Sequence, residues 1–95
     1  MRLVVSKGAR RDLKAIARYS EKEWGTARKV RYLDAIRERF AALLRHPAPG
    51  AAREDIASGY RSVIVGRHIV FYRLADDEVV IVRVLHQRMD VRLHF

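Results

Sequence analysis

Cysteine is absent from the 95 residues, which excludes a disulfide framework and a cysteine-based metal site. The four histidines (His46, His68, His86 and His94) show no ligand spacing, so we expect neither a metal nor another cofactor. No apolar run approaches the roughly 20 residues of a membrane span, and the first eleven residues are too few for a signal peptide. These absences favour a cytoplasmic protein without a membrane partner.

Acidic residues are also scarce, since 11 Asp and Glu face 20 Lys and Arg, giving a formal charge of +9. Most of this excess lies in residues 1–58, which carry the larger share of the basic side chains. A charge of this size favours an acidic partner, either nucleic acid or an acidic protein segment.

Two amphipathic helices are predicted in the first half of the chain. The first runs from Lys7 to Trp24, with Ser6 as N-cap and Gly25 as the residue that ends it. The second runs from about Ala27 to Arg45, with Thr26 as its N-cap. The short break between them predicts an antiparallel helical hairpin. Its second helix should pack on the sheet through Phe40 and Leu43, against Phe71 and Val82.

Strands account for most of the remaining residues. Arg2–Val5 is a short β-prone start, and Tyr60–Val65, His68–Leu74 and Val79–His86 are rich in β-branched and aromatic residues. Residues 51–59 are predicted to form a loop. The order β-α-α-β-β-β indicates one α+β domain over residues 1–95, with the hairpin on one face of a mainly antiparallel four-stranded sheet.

The second face of this sheet should also be covered, because two of the strands are apolar almost throughout. Two short helices cannot cover both faces, so the tail, another copy or a partner must meet the other face. The tail, Met89–Phe95, alternates apolar and polar residues as a strand does. The tail from Arg88 to Phe95 either folds back over the sheet or contacts a target, and its three basic side chains, Arg88, Arg92 and His94, favour the second interpretation slightly.

Basic residues on the strands leave two chemical interpretations open. Arg61, His86 and Arg88 could cleave RNA, with His86 as proton donor and the arginines holding the phosphate, if the fold brings them together. A structural or partner-binding role is the more common use of such scattered residues. The ridge of Arg10, Lys14, Arg18 and Lys22 on the first helix could bind phosphates or be a solvated helix face.

Several segments resemble the ParE branch of the RelE/ParE toxin superfamily. They are YSEKEWG, ARKVRYLDAI, GYRSVIVGRHIVFYR and VVIVRVLHQRMD, and together they span nearly the whole chain. The resemblance implies the toxin of a type II toxin–antitoxin module, which inhibits DNA gyrase and is neutralised by a ParD-like antitoxin. It would reach DNA only through the antitoxin or gyrase.

The RelE branch of the same superfamily cleaves mRNA on the ribosome, and this is the alternative function. Val63 and Ile69 are apolar where the mRNA cleavers tend to carry Lys or Arg. Loss of two cations from a phosphate-binding surface favours the ParE reading, in which the protein is not an enzyme. The antitoxin is expected to contact Leu13, Arg61, Tyr72 and Arg83. The target is expected to contact Arg88, Arg92, His94 and Phe95.

Overall fold

The computed structural model describes residues 1–47 and 50–95, and its elements follow the predicted order closely. They are β1 (Arg2–Val5), α1 (Lys7–Trp24), α2 (Thr26–Arg45), β2 (Ala51–Ala52), β3 (Tyr60–Val65), β4 (His68–Ala75), β5 (Glu78–His86) and a 3₁₀ turn (Val91–Leu93). The sheet order is β1-β5-β4-β3-β2, with β1 parallel to β5 and the other pairs antiparallel. The α+β class and the helical hairpin on the sheet are therefore confirmed.

The sheet has five strands in the described part of the chain, where four were predicted. The additional strand, Ala51–Ala52, pairs with Ser62 and Arg61 of β3, inside the stretch predicted as loop. Two alanines carry almost no β-signal of their own, so only the neighbouring strand edge reveals this short pairing. β4 and β5 also begin or end one residue beyond their predicted bounds, at Ala75 and Glu78.

The helix ends show which capping predictions were correct. Ser6 caps α1 as expected, because its hydroxyl oxygen accepts a hydrogen bond from the Ala9 N–H at 3.0 Å. Gly25 ends α1 with a φ of 85°, a conformation that favours glycine. The prediction of Thr26 as the second N-cap was wrong. Gly25 alone connects the helices and occupies that position, while the Thr26 hydroxyl donates to Glu21 Oε1 at 3.1 Å.

A β-bulge in β5 decides which side chains face the helices. Phe71 of β4 pairs with Arg83, whereas the next residue, Tyr72, pairs with Ile81, so Val82 has no partner of its own. Ile81 and Val84 consequently both belong to the core beneath the helices, although three positions separate them.

The main core lies between the helical hairpin and the sheet. Ile36, Phe40 and Leu43 of α2 are buried there with residues of three strands, including Val70 and Ile81. The expected contact of Phe40 with Phe71 was wrong, because Phe71 belongs to the opposite face of the sheet and lies outside this cluster.

The opposite face is covered at its centre by the tail and by one arginine. The ring of Phe95 meets Phe71 edge-on with centroids 5.2 Å apart and Tyr60 at 5.9 Å. The guanidinium carbon of Arg53 lies 5.0 Å from the centroid of the Phe71 ring. The tail is not the strand that its alternation indicated. Asp90 caps a 3₁₀ turn by accepting from the Arg92 N–H, and this turn bends the chain back over the sheet.

Candidate functional site

The junction between α1 and the bulged half of β5 is held by polar groups. β1 ends at Val5, so no strand among the described residues pairs with β5 on that side beyond Ile81. Asp12 takes the place of that strand, because its Oδ2 accepts from the Val84 N–H at 2.9 Å. The same carboxylate binds the Arg83 guanidinium through two bonds of 2.8 Å, which raise the pKa of Arg83 above its usual value.

Arg83 was predicted to contact the antitoxin, but the structure uses it inside the fold. Its Nε and Nη2 donate to Asp12, and its Nη1 donates to the carbonyl oxygen of His94 at 2.9 Å. This last bond holds the tail. All the side-chain nitrogens of Arg83 are thus directed at groups of the same chain. The register after the bulge is the physical reason, since it places Arg83 opposite Phe71, on the face of the sheet that the tail covers.

A cleft of about 400 Å³ opens beside this junction, and we call it the histidine cleft. It is lined by Asp12, Ala15, Ile16, Tyr19, Trp24, Arg67, His68, Val84, His86, Arg88 and Met89. His68 and His86 are cross-strand partners whose ring centroids lie 5.3 Å apart. Burial, followed by the neighbouring His86, lowers the pKa of His68 to about 4, so His68 is neutral at pH 7.

The three residues of the RNA-cleaving alternative do not meet. His86 and Arg88 both line the histidine cleft, and the Arg88 N–H donates to His86 Nδ1 at 3.1 Å. Arg61 pairs with Tyr72 and donates from Nη2 to the Gly50 carbonyl at 2.7 Å. Along β3, Arg61 is four residues from Val65, the cross-strand partner of His68. At the rise of a strand these two positions are about 13 Å apart. The catalytic arrangement that joined Arg61 to His86 and Arg88 is therefore not formed.

Tyr72, a predicted antitoxin contact, is buried in the core and cannot be reached from outside the fold. Its hydroxyl donates to the Pro47 carbonyl and accepts from the Gly50 N–H, both at 3.0 Å. These two bonds satisfy a buried hydroxyl and attach the segment after α2 to the sheet. Tyr72 is thus a structural residue, and the prediction of a surface contact was wrong.

Leu13 borders a groove between the two helices, which we call the hairpin groove. It has a volume of about 220 Å³ and is lined by Leu13, Lys14, Ala17, Leu33, Ile36, Arg37 and Phe40. Five of these lining residues are apolar, and the other two, Lys14 and Arg37, are basic. Of the four residues predicted to contact the antitoxin, Leu13 is the one that lines an open groove.

The residues predicted to contact a target lie on or near the docked tail. Arg88 is exposed at the histidine cleft, and Arg92 is exposed while pairing with Asp90. His94 and Phe95 also hold the tail in place, although Phe95 remains 45% exposed. Leu93 is 79% exposed and was not among the residues predicted to contact a target.

A second cleft, which was not predicted from the sequence, lies where α1, α2 and the β3–β4 turn meet. We call it the arginine cleft; it has a volume of about 440 Å³ and is lined by Trp24, Arg28, Arg31, Tyr32, Ala35, Gly66 and Arg67. The Arg28 guanidinium carbon lies 5.4 Å from the centroid of the Trp24 ring. Trp24 and Arg28 stand four residues apart across Gly25, which was the one local signal available. Their approach to Arg67 depends on the tertiary fold.

Comparisons with known proteins define the class of this fold. The family described as "ParE toxin of type II toxin-antitoxin system, parDE" matches residues 3–91. A "Toxin ParE1" of Caulobacter vibrioides is 38% identical over 90 residues, covering 95% of this chain and 93% of that protein. A "Toxin ParE1" of Mycobacterium tuberculosis is 34% identical over 91 residues, with the same coverage.

A solved structure has the same fold. A chain of "Chromosomal ParDE TA system from P. aeruginosa" superposes with a TM-score of 0.79, covering 90% of this chain and 95% of that one at 23% identity. The fold and these matches define a toxin of a type II toxin–antitoxin system. The chain belongs to the ParE toxin family. Within residues 1–47 and 50–95, no helix is both long and apolar enough to cross a membrane.

Proposed function

We propose that this ParE-family protein inhibits DNA gyrase by binding it, without catalysing a reaction, and that a ParD-like antitoxin neutralises it. The observation that carries this proposal is the family match over residues 3–91. The separation of Arg61 from His86 and Arg88 supports the non-enzymatic part, because phosphate cleavage needs its groups to converge on one atom. A gyrase target implies action in the cytoplasm.

The antitoxin is assigned to the hairpin groove. An amphipathic segment can place apolar side chains at Leu13 and Leu33 and acidic ones near Lys14 and Arg37. The formal charge of +9 favours association with an acidic partner, and a segment that folds as it binds can place its apolar face in the groove. Arg83 and Tyr72 are excluded from this surface because their side chains form hydrogen bonds within the fold.

The target is assigned to the outer side of the tail and the rim beside it. Leu93, Arg92 and Arg88 are exposed there, whereas the inner side of the tail packs on the sheet. An exposed leucine beside two arginines is a suitable centre for a small protein contact. The same docking contacts that hold the tail would keep these three side chains in a defined arrangement.

Two parallel assays test the activity. The purified protein should inhibit the supercoiling of plasmid DNA by gyrase and leave mRNA intact on translating ribosomes. The variant His86→Ala should behave like the wild type in the cleavage assay, because neither is expected to cut mRNA. Ribosome-dependent cleavage by the wild type that is lost in His86→Ala would contradict the proposal and restore the endoribonuclease alternative.

The antitoxin surface is tested by calorimetry with the product of the neighbouring antitoxin reading frame. Leu13→Ala should weaken binding by at least about tenfold, since it removes an apolar anchor from the groove. Val30→Ala is the matched control, because Val30 is an exposed apolar residue of α2 that does not line the groove. Equal affinities for the two variants would place the antitoxin elsewhere.

A further inference from the structure

The arginine cleft has the composition of an anion site. Three of its seven lining residues are arginines, and no Asp or Glu lines it in the part of the chain that the structure describes. Across residues 1–47 and 50–95, none of Arg28, Arg31 and Arg67 makes an ion pair, although seven other basic side chains and the N-terminus do so elsewhere. Three like charges around one open cleft create a strong positive potential that an anionic ligand would neutralise.

Two of these arginines are held in place before any ligand arrives. Arg28 lies against the Trp24 ring, a cation–π contact that limits the motion of its guanidinium. For Arg67 it is the backbone that is held, because its main-chain N–H at the tip of the β3–β4 turn donates to the Tyr32 hydroxyl at 3.2 Å. That hydroxyl also donates to the Val65 carbonyl at 3.1 Å, so Tyr32 of α2 is hydrogen-bonded to the backbone on both sides of Gly66. Such preorganisation reduces the entropy lost when a ligand binds.

Gly66 allows this close grip. It has a φ of 56°, and a Cβ at this position would lie 2.7 Å from Cε1 of Tyr32. Any other residue would therefore push the turn away from the tyrosine ring and move Arg67 with it. The aromatic part of the cleft continues past this point, since Trp24 meets Tyr32 and Tyr19 edge-on with centroids 6.0 Å apart in each pair.

Guanidinium groups and aromatic rings in one cleft match the chemistry of nucleic acid. Guanidinium groups bind phosphate oxygens through paired N–H donors, and aromatic rings stack on bases without reading their sequence. Trp24 lines both the arginine cleft and the histidine cleft, so its indole borders open space on two sides. An acidic peptide would use the arginines but would leave the aromatic surface without a function.

We propose that the arginine cleft binds an unpaired segment of nucleic acid, with its phosphates on Arg28, Arg31 and Arg67 and a base against Trp24. The sequence had predicted contact with DNA only through the antitoxin or gyrase, whereas this site would contact it directly. The inference does not rest on gyrase inhibition, because binding can be measured with the toxin alone. A failure here leaves the proposed target intact, and the reverse also holds.

Trp24 is the single tryptophan of the chain, and its fluorescence therefore reports on the arginine cleft and on the adjoining end of the histidine cleft; the arginine variants below separate the two. Titration with a 12-nucleotide oligothymidylate at low salt should quench the emission in a saturable manner. Three phosphate contacts predict a slope of about −2 for the logarithm of the binding constant against that of the salt concentration. Oligouridylate should bind about equally, and a 12-base-pair duplex should quench less because its bases are already stacked.

Two double variants with the same change of charge separate a site from a general attraction. Arg28→Glu with Arg31→Glu removes two cleft arginines, and Arg10→Glu with Arg18→Glu removes two from the outer ridge of α1. Fluorescence anisotropy of a labelled oligothymidylate should show at least about tenfold weaker binding for the first and less than about threefold for the second. Circular dichroism melts should show that both remain folded.

Three results would overturn the proposal. Equal losses in the two double variants would mean that only the overall charge attracts nucleic acid. Unchanged Trp24 fluorescence at saturation would place the ligand outside the cleft. An acidic peptide of similar charge that quenches Trp24 at lower concentration than the oligothymidylate would identify the cleft as a protein-binding site.

Discussion

Replacing Asp12 with alanine should lower the stability of this fold more than any other single loss of charge near the sheet. The carboxylate is only 12% exposed and its partner Arg83 is 24% exposed. The substitution removes the acceptor of the Val84 N–H, which costs about 1–3 kcal/mol for a buried donor. It also leaves a guanidinium without its anion, and breaking such pairs costs about 3–5 kcal/mol when they are fully buried.

Partial exposure and the remaining bond from Arg83 to the His94 carbonyl reduce this cost, so we expect a total of about 3 kcal/mol. For a domain of this size that corresponds to a drop in Tm of about 12–24 °C. Asp12→Asn should lose about half as much, because its amide oxygen can still accept from the Val84 N–H.

Thermal melts followed by circular dichroism measure both effects, with Asp34→Ala as the control. Asp34 pairs with Arg37 on the surface of α2, where the two side chains are 63% and 71% exposed, so its loss should cost less than about 1 kcal/mol. If Asp12→Ala melts within a few degrees of Asp34→Ala, the carboxylate does not replace the missing strand and the reasoning is wrong.

Three further predictions concern the core, the histidine cleft and the tail. Phe40→Ala should cost about 3–5 kcal/mol in chemical denaturation, and an unchanged midpoint would mean that α2 does not pack as described. The pKa of His68 is about 4 in the folded chain and 6.5 in the unfolded chain. Between these values the unfolded chain binds a proton that the folded chain does not, so the free energy of unfolding falls as the pH is lowered from 6.5 toward 4. Solvent screening of a partly buried ring limits this loss to about 1–2 kcal/mol, and His68→Gln should show a flatter dependence between pH 7.5 and 5. Phe95→Ala should lower the Tm by several degrees, whereas Leu93→Ala should leave it unchanged and weaken gyrase inhibition; the opposite pattern would exchange their roles.

The sequence predicted the elements of this fold well because their signals are local. The apolar stripes of both helices and the cap at Ser6 lie within a few residues of one another, and so do the turn residues between the strands. The family resemblance used the same stretches and led to the correct class. The tail is the exception, since its alternation suggested a strand while Asp90 favours a turn.

The candidate sites were harder to predict because they depend on distant residues. The extra residue Val82 shifts the alternation of side chains in β5, so that Ile81 and Val84 face the same side of the sheet. An apolar run in the sequence does not reveal such a bulge. The burial of Tyr72 depends on acceptor and donor groups at Pro47 and Gly50. The arginine cleft is assembled from the helix connection and a β-turn more than thirty residues later.

The parallel pairing of β1 with β5 has a consequence for the timing of partner binding. Arg2 lies opposite Glu78, and the Ser6 hydroxyl donates to the Val82 carbonyl across 76 positions of the chain. The first strand therefore has no partner until β5 has been synthesised, and such long-range contacts form late in folding. A chain that has not yet been extended through β5 cannot complete this sheet. A partner that recognises the complete sheet therefore binds only after β1 and β5 have paired.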